Sequence, residues 1–265
     1  MAGNAMHDWQ VERDRSIIEI AKHLIKGRIG FLIGAGMSIP AGGLPGSELA
    51  FQLLCKAFFT KYQDDGTDAQ KKLGVEIRRI SNFFPLEAIA QGVIQKLTFR
   101  DTELEEILKN TVFAGKKPEI QQPGHRDLAD LIAKLRLETI YTTNWDTLIE
   151  DALGQKCATI TEKSLRKLED ALNNDLPAVI HLHGTFDDDP LIKEKDVMDP
   201  ERPLFQLFMA ELMTKAFVFV GYSLSDPNIR ALYAKSGQVL KRRNEKLMKK
   251  TYIIAPPKSD EERQV

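Results

Sequence analysis

Five short apolar runs, most of them ending in glycine, hydroxyl, amide or imidazole residues, set the tightest limit on what this chain can fold into. They are Ile29-Gly30-Phe31-Leu32-Ile33, Thr139-Ile140-Tyr141-Thr142, Ala178-Val179-Ile180-His181-Leu182, Ala216-Phe217-Val218-Phe219-Val220 and Thr251-Tyr252-Ile253-Ile254. Runs of this length without polar alternation read as strands buried on both faces. Helical or loop sequence separates them, which predicts an α/β fold with a parallel sheet covered by helices on both sides. A first helix is expected over Val11 to Lys26, where Ile17, Ile18, Ala21, Leu24 and Ile25 recur at helical spacing and Gly27 can end it.

The stretch from about residue 47 to 137 is too long for one crossover. It carries helical patterns at Leu49 to Tyr62, Leu86 to Leu97, Leu104 to Phe113 and Arg126 to Leu135, with turns at Asp64-Asp65-Gly66 and Gly115-Lys116-Lys117-Pro118. We read it as a helical insertion over one end of the sheet. The expected organisation is a single domain over residues 1–265, with Pro256 to Arg263 as a polar tail or linker and the chain possible as a fragment of a longer protein.

The net charge is −1, so no global field draws nucleic acid or an anionic membrane. No apolar run reaches the roughly 18 residues of a membrane span, and the start, with Asp8, Glu12, Arg13 and Asp14, is unlike a signal peptide. The two cysteines, Cys55 and Cys157, form neither a disulfide framework nor a CxxC pair. A soluble protein of the reducing cytoplasm is expected.

Chemistry concentrates where the runs end. Gly34-Ala35-Gly36-Met37-Ser38 follows the first, and glycines there let backbone N–H groups approach a pyrophosphate. A dehydrogenase fingerprint would want a third glycine at residue 39, where this chain has Ile39. A tight turn with no ligand is the plainer alternative. The loop Ile39 to Gly46 is long and small-sided, suited to closing over a ligand.

The second run enters Thr142-Thr143-Asn144-Trp145-Asp146. The Asn144 amide can hold a water and a ribose hydroxyl at once, while Asn144 or Asp146 can equally cap a helix starting near Thr147. In His181-Leu182-His183-Gly184, alternation places both imidazoles on one face of the sheet. His183, nearest the strand end, is the candidate general base, and His181 reads as a buried hydrogen-bonded histidine. A metal at this HxH pair lacks a third ligand other than the solvated run Asp187-Asp188-Asp189. Gly221-Tyr222-Ser223-Leu224 reads as a second nucleotide-binding turn, positioned by a helix start at Asp226-Pro227.

Four motifs in this order, Gly34-Ala35-Gly36-Met37-Ser38, Thr143-Asn144-Trp145-Asp146, His183-Gly184 and Gly221-Tyr222-Ser223, resemble the sirtuin family. The resemblance implies a Rossmann-like sheet with NAD⁺ across its carboxyl edge, and catalytic roles for Asn144 and His183. Location at the strand ends assigns Asp146 as catalytic support, and Gly34, Ala35, Gly36, Ser38, Thr143, Gly221, Ser223 and Leu224 as the nucleotide pocket. Deacylating sirtuins carry four zinc-binding cysteines after the His-Gly motif, whereas no cysteine follows Cys157 here. They also carry Pro-Asp-Phe-Arg after the first turn, where this chain reads Leu44-Pro45-Gly46-Ser47. The wording is similar to the sirtuin-like domains of bacterial antiviral systems.

That similarity implies an NAD⁺ hydrolase releasing nicotinamide and ADP-ribose, with NAD⁺ as substrate, no zinc, and depletion of NAD⁺ in anti-phage defence. It also implies activation by a homo-oligomer, a partner protein or a C-terminal domain. Two other readings stand beside it: a module that senses NAD⁺ or ADP-ribose without cleaving it, and a protein deacylase, which the missing cysteines disfavour.

Overall fold

The computed structural model describes residues 2–61, 68–84, 86–97, 99–113, 118, 122–188, 190–192, 199, 201–222, 229, 231, 234 and 251–254. Its centre is a sheet of six parallel strands: β1 (Ile29–Ile33), β2 (Thr139–Thr142), β3 (Ala158–Ile160), β4 (Ala178–His181), β5 (Ala216–Val220) and β6 (Thr251–Ile254). They lie in the order β3-β4-β2-β1-β5-β6. Five of the six are the apolar runs of the sequence. The sixth, β3, is an edge strand of three residues, too short to leave a periodic signal.

Along β1, Ile29, Phe31 and Ile33 face one side and Leu32 the other, as the period of two requires. The first side packs with Ile140, Val179 and Val218 against α6 (Pro123–Leu135), α7 (Leu148–Ala152) and the end of α1 (Ala2–Ile25). The second packs Leu32, Tyr141, Ile180, Phe217 and Phe219 against α8 (Arg166–Asn173) and α9 (Pro203–Thr214), whose Phe205 and Phe208 are fully enclosed. Each such aromatic contributes roughly 1.5–3 kcal/mol on burial. Both faces are therefore covered, and the α/β Rossmann-like expectation holds.

Between β1 and β2 lie α2 (Gly46–Lys61), α3 (Asp68–Phe83), α4 (Leu86–Leu97) and α5 (Asp101–Thr111), followed by α6. Helices α2 to α5 bury a core of their own around Leu49, Leu53, Ile77, Val93, Leu104 and Leu108. Trp145, Phe186 and Ile192, from the segments that leave β2 and β4, pack against that core. This contact seats the helical group over the carboxyl edge of the sheet. The sequence pattern does not single out α3, whose first turns carry Gln70, Lys71 and Lys72 and whose buried residues among those described are Ile77 and Ser81. It had also begun α1 nine residues late. Asp64 to Gly66, Gly115 to Lys117, Asp189, Ser223 to Asn228 and the tail Pro256 to Arg263 lie outside the described residues. No described helix is long and apolar enough to cross a membrane.

The chain leaves β1 toward the β3 edge and returns on the other side of β1 as β5 and β6. Such a reversal opens a crevice beyond the carboxyl ends of the strands around it. Here the exits of β1 and β5 are pressed together. Gly34 N–H donates to the Val220 carbonyl at 2.9 Å and Gly36 N–H to the Gly221 carbonyl at 2.8 Å. A Cβ on Gly221 would stand 2.4 Å from the Met37 nitrogen, and Gly221 has φ +61°. Gly221→Ala should therefore lose more than about 2 kcal/mol of stability, from a left-handed residue and a backbone clash together. Denaturant unfolding of the variant, with an unchanged midpoint as the contrary result, checks this.

Candidate active site at the carboxyl edge

Asn144 stands two residues beyond Thr142 of β2, and His183 two beyond His181 of β4; Thr142 and His181 are partners in register. The two candidates thus rise from neighbouring strands to the same level above the sheet. Both are buried, with 7% and 3% of their surfaces exposed.

The Asn144 residue is bound on every side but one. Its N–H donates to Thr142 Oγ1 at 3.0 Å, and Thr142 Oγ1 donates to the Ile33 carbonyl at 3.1 Å. The side-chain Nδ2 donates to the Gly34 carbonyl at 3.3 Å and to Ser38 Oγ at 3.0 Å. Its carbonyl accepts from His181 Nδ1 at 2.8 Å. The side-chain oxygen Oδ1 is buried without a partner among the described residues. A carbonyl such as that of Gly34 only accepts, so the amide must offer it nitrogen, and Oδ1 is left as an acceptor toward a donor from outside.

Ser38 passes the connection on, donating its hydroxyl to Asp146 Oδ2 at 2.8 Å. Asp146 Oδ1 accepts from the Leu148 N–H at 3.3 Å, at the start of α7. One carboxylate thus accepts from the helix start and from Ser38, which joins it to the Asn144 cluster. Burial pushes its carboxyl above the usual range, although Ser38, the Leu148 N–H and the charges of His181 and His125 pull the other way.

The first glycine turn is packed against the exit of β5. The N–H groups of Gly34 and Gly36 are engaged by the β5 exit, and Ser38 N–H by the Ala35 carbonyl at 3.0 Å. Space for a Cβ on Gly34 or Gly36 is taken by Gly221 and Tyr222 rather than left for a phosphate. These glycines permit two turns to touch. The Gly221 N–H donates to the Ile254 carbonyl at 3.2 Å, so that turn too is internally bonded. Ala35 is exposed at the rim, and Thr143 donates its N–H to the Ile33 carbonyl at 3.2 Å. The Ile39 to Gly46 loop is also pinned: Ala41 and Gly43 N–H groups reach the Ser38 carbonyl, and Leu44 N–H reaches the Val112 carbonyl at the end of α5. Ser223 and Leu224 lie outside the described residues.

The two histidines part company, against the expectation that they share a face. The strand ends at His181, and residues 182 and 183 form a turn completed by Gly184 at φ +71°. His181 keeps the strand's alternation and points toward α7. The His183 ring instead lies 6.2 Å from that of Phe205 on α9, across the sheet. Arg202 fixes the turn by donating to the Leu182 carbonyl, and pairs with Glu162 at 3.2 Å. The metal reading of the pair fails on this geometry, because His181 spends both ring nitrogens on Asn144 and Glu150.

Two further residues of the cluster gave no signal in the sequence. Glu150 looked like one more helix acid, yet it is 1% exposed and bonded to His181. His125, on α6, is 2% exposed with neither ring nitrogen partnered among the described residues. Burial lowers its proton affinity, and the charge of Asp146 opposes that. A cavity of about 440 Å³ opens beside the cluster, lined by Lys109, Val112, Trp145, Asp146, Thr147 and Phe186 among others. Asp146 is the wall it shares with the Asn144 network.

Residues 138–265 match the family model described as SIR2-like domain. Over 231 residues it is 27% identical to the NAD(+) hydrolase ThsA of Acinetobacter baumannii, covering 84% of this chain and 41% of that protein. A protein of the same name from Enterococcus faecium is 25% identical over 252 residues, covering 90% of this chain and 47% of the relative. One from Bacillus cereus is 31% identical over 109 residues, 37% of this chain and 22% of the relative. The chain spans less than half the length of these curated relatives. The matched residues include Asn144, Asp146, His181, His183 and Gly221, and begin just before β2. Strand β1 and Ser38 fall outside it, yet hydrogen bonds from Thr143 and Asn144 join them to the matched half.

Because the folded state holds Asp146 with its proton affinity raised, ionising it opposes folding: the favourable contribution is present at low pH and is lost as pH rises through the raised value. Asp146→Asn is neutral throughout, but its one acceptor oxygen can keep only Ser38 or the Leu148 N–H, so what it tests is the pH dependence and not the absolute stability. Relative to wild type its stability should rise with pH from about 3.9, below which the acid is protonated in both states, up through the raised value. Thermal unfolding across pH measures it, and a relative stability that does not rise with pH contradicts the assignment.

Proposed function

We propose that this chain binds NAD⁺ and hydrolyses the bond between nicotinamide and ribose, giving nicotinamide, ADP-ribose and a proton. The observation that carries the reading is the buried, unpartnered Asn144 Oδ1 at the carboxyl edge of the sheet, one strand away from His183. Its chemistry suits a site that must hold a ribose hydroxyl or a water, since both are donors. The names of the relatives, NAD(+) hydrolase ThsA, point the same way.

Departure of the neutral nicotinamide leaves an oxocarbenium-like ribose, and rate comes from interactions that strengthen as that charge develops. In this reading Asn144 Oδ1 accepts a hydrogen bond from the attacking water or a ribose hydroxyl and fixes its lone pairs toward C1′. His183 takes the proton released as the C–O bond forms. Asp146, through Ser38, holds the Asn144 amide and places negative charge near the positive centre. The turn Gly34 to Ser38, with Thr143 and Gly221, forms the rim by shape and by the exposed Ala35, and Ser223 and Leu224 are assigned to binding the nucleotide. Helices α2 to α5 act as an insertion of one NAD⁺-binding domain spanning residues 1–265.

We further infer that the setting is cytoplasmic NAD⁺ depletion during phage infection, switched on by self-assembly or by a partner chain or domain. Turnover per chain that rises with protein concentration is the result expected of activation by assembly.

Asn144→Ala and His183→Ala should each keep the fold and reduce NAD⁺ turnover by at least about 100-fold. Chromatography of NAD⁺ incubated with the activated protein reads the result. Nicotinamide release by either variant at the wild-type rate removes that residue from the mechanism, and recovery of intact NAD⁺ from wild type makes the chain a binding module instead.

A further inference from the structure

His181 is the last residue of β4 and is wholly enclosed, yet neither the reaction proposed above nor the packing of the sheet calls for an imidazole at that point. Its Nδ1 lies 2.8 Å from the Asn144 carbonyl and its Nε2 lies 2.8 Å from Glu150 Oε1. Thr159 of β3 donates to that same carboxylate oxygen at 3.0 Å. A carbonyl only accepts, so Nδ1 carries a hydrogen. A second acceptor at Nε2 then requires a proton in the Nε2···Oε1 contact as well. Without one, an imidazole lone pair would face a carboxylate in a space that excludes water, where neither group can turn to a solvent donor.

We propose that Glu150 and His181 are a positioning pair for Asn144, holding its backbone so that the free amide oxygen stays aimed at the reacting ribose. The inference rests on the function proposed for Asn144 and deepens it. The pair touches no substrate. It acts on the backbone carbonyl of Asn144, which neither Thr142, Gly34 nor Ser38 holds. Thr159, Glu150, His181, Asn144 and Ser38 form one hydrogen-bonded string from β3 across the exits of β4, β2 and β1. A small rotation of the Asn144 peptide would carry Oδ1 away from its target, and misplacement by about 1 Å costs on the order of 100-fold in rate.

The shared proton makes the device sensitive to pH. Burial lowers the proton affinity of His181, but the hydrogen bond and charge of Glu150, the Asn144 carbonyl and the charge of Asp146 outweigh it, and the net direction is upward. Asp146, on the loop leaving β2, and Glu150, on α7, are the charged groups that act on the imidazole; the Cys157 thiol, ahead of β3, is raised by burial first and by the charges of Glu150 and Asp151 after it. The pair is therefore intact below the ordinary histidine value of about 6.5 and comes apart as pH rises through the raised one. Turnover should fall on that alkaline limb.

The test is steady-state nicotinamide release by the activated full-length protein, across pH, for wild type, Glu150→Leu, Glu150→Gln and Asn144→Ala. Glu150→Leu should lower kcat by about 10- to 100-fold while changing KM for NAD⁺ less than about 3-fold. Glu150→Gln should recover most of that loss, because its amide donates to a neutral Nε2 and keeps the ring in place, and it should flatten the alkaline limb. Wild-type kcat in Glu150→Leu, or a wild-type pH profile in Glu150→Gln, overturns the pair. If Glu150→Leu does not fold, the pH profile of Glu150→Gln decides alone. An inactive Asn144→Ala beside a fully active Glu150→Leu sinks only the positioning pair, whereas an active Asn144→Ala sinks the function it serves.

Discussion

Asn144 follows β2 in a segment that has left the ladder, so its backbone N–H and C=O must find partners that the sheet no longer provides. Thr142 takes the first and His181 the second, and the side-chain nitrogen goes to Gly34 and Ser38. One residue thereby ties together the exits of three strands. The cost of leaving a buried amide or carbonyl unmade is about 1–3 kcal/mol per group, so the geometry is over-determined by several such terms. The single acceptor left over is then held in place by bonds that have nothing to do with any ligand.

That arrangement needs the strand exits to be close, and the glycine turns make them so. Gly34 and Gly36 meet Gly221 backbone to backbone, at separations no side chain would tolerate. The helical group α2 to α5 supplies the remaining wall, anchored through Trp145 and Phe186. Around this junction the chain buries groups that fold poorly by themselves: an acid with raised proton affinity at Asp146, an ion pair at Glu150 and His181, and an imidazole at His125. Local rules of stability are broken in one place, which is where chemistry is expected to reside.

Much of the fold was legible in advance because a doubly covered parallel strand must be apolar at successive positions. Runs such as Ala216 to Val220 announce themselves without help from the rest of the chain. The short β3 and the polar α3 gave no comparable signal, since three residues carry no period and a helix that buries little shows little. Of the candidate site, Asn144 and His183 were readable from their places after strand ends, as were the possible cap at Asp146 and the buried nature of His181. The direction of His183 was misjudged, because strand alternation stops at His181 and the turn at Gly184 sends the ring toward α9. Glu150 and His125 were invisible. A glutamate on a five-residue helix and a histidine on an apolar helix face have ordinary surroundings in sequence, and only tertiary packing removes them from water.

The sequence by itself therefore determined the layered parallel sheet and the polar residues that gather at its carboxyl edge, because burial on two faces and strand termination are local, one-dimensional constraints. Only the tertiary structure decided which hydrogen-bonding groups remain available there. It assigned the N–H groups of Gly34 and Gly36 to the neighbouring turn, both nitrogens of His181 to Asn144 and Glu150, and left the Asn144 amide oxygen open. The physical reason is that a hydrogen bond is a matter of distance and direction between groups far apart in the chain. Residue type states what a group can donate or accept, and only the fold states to whom.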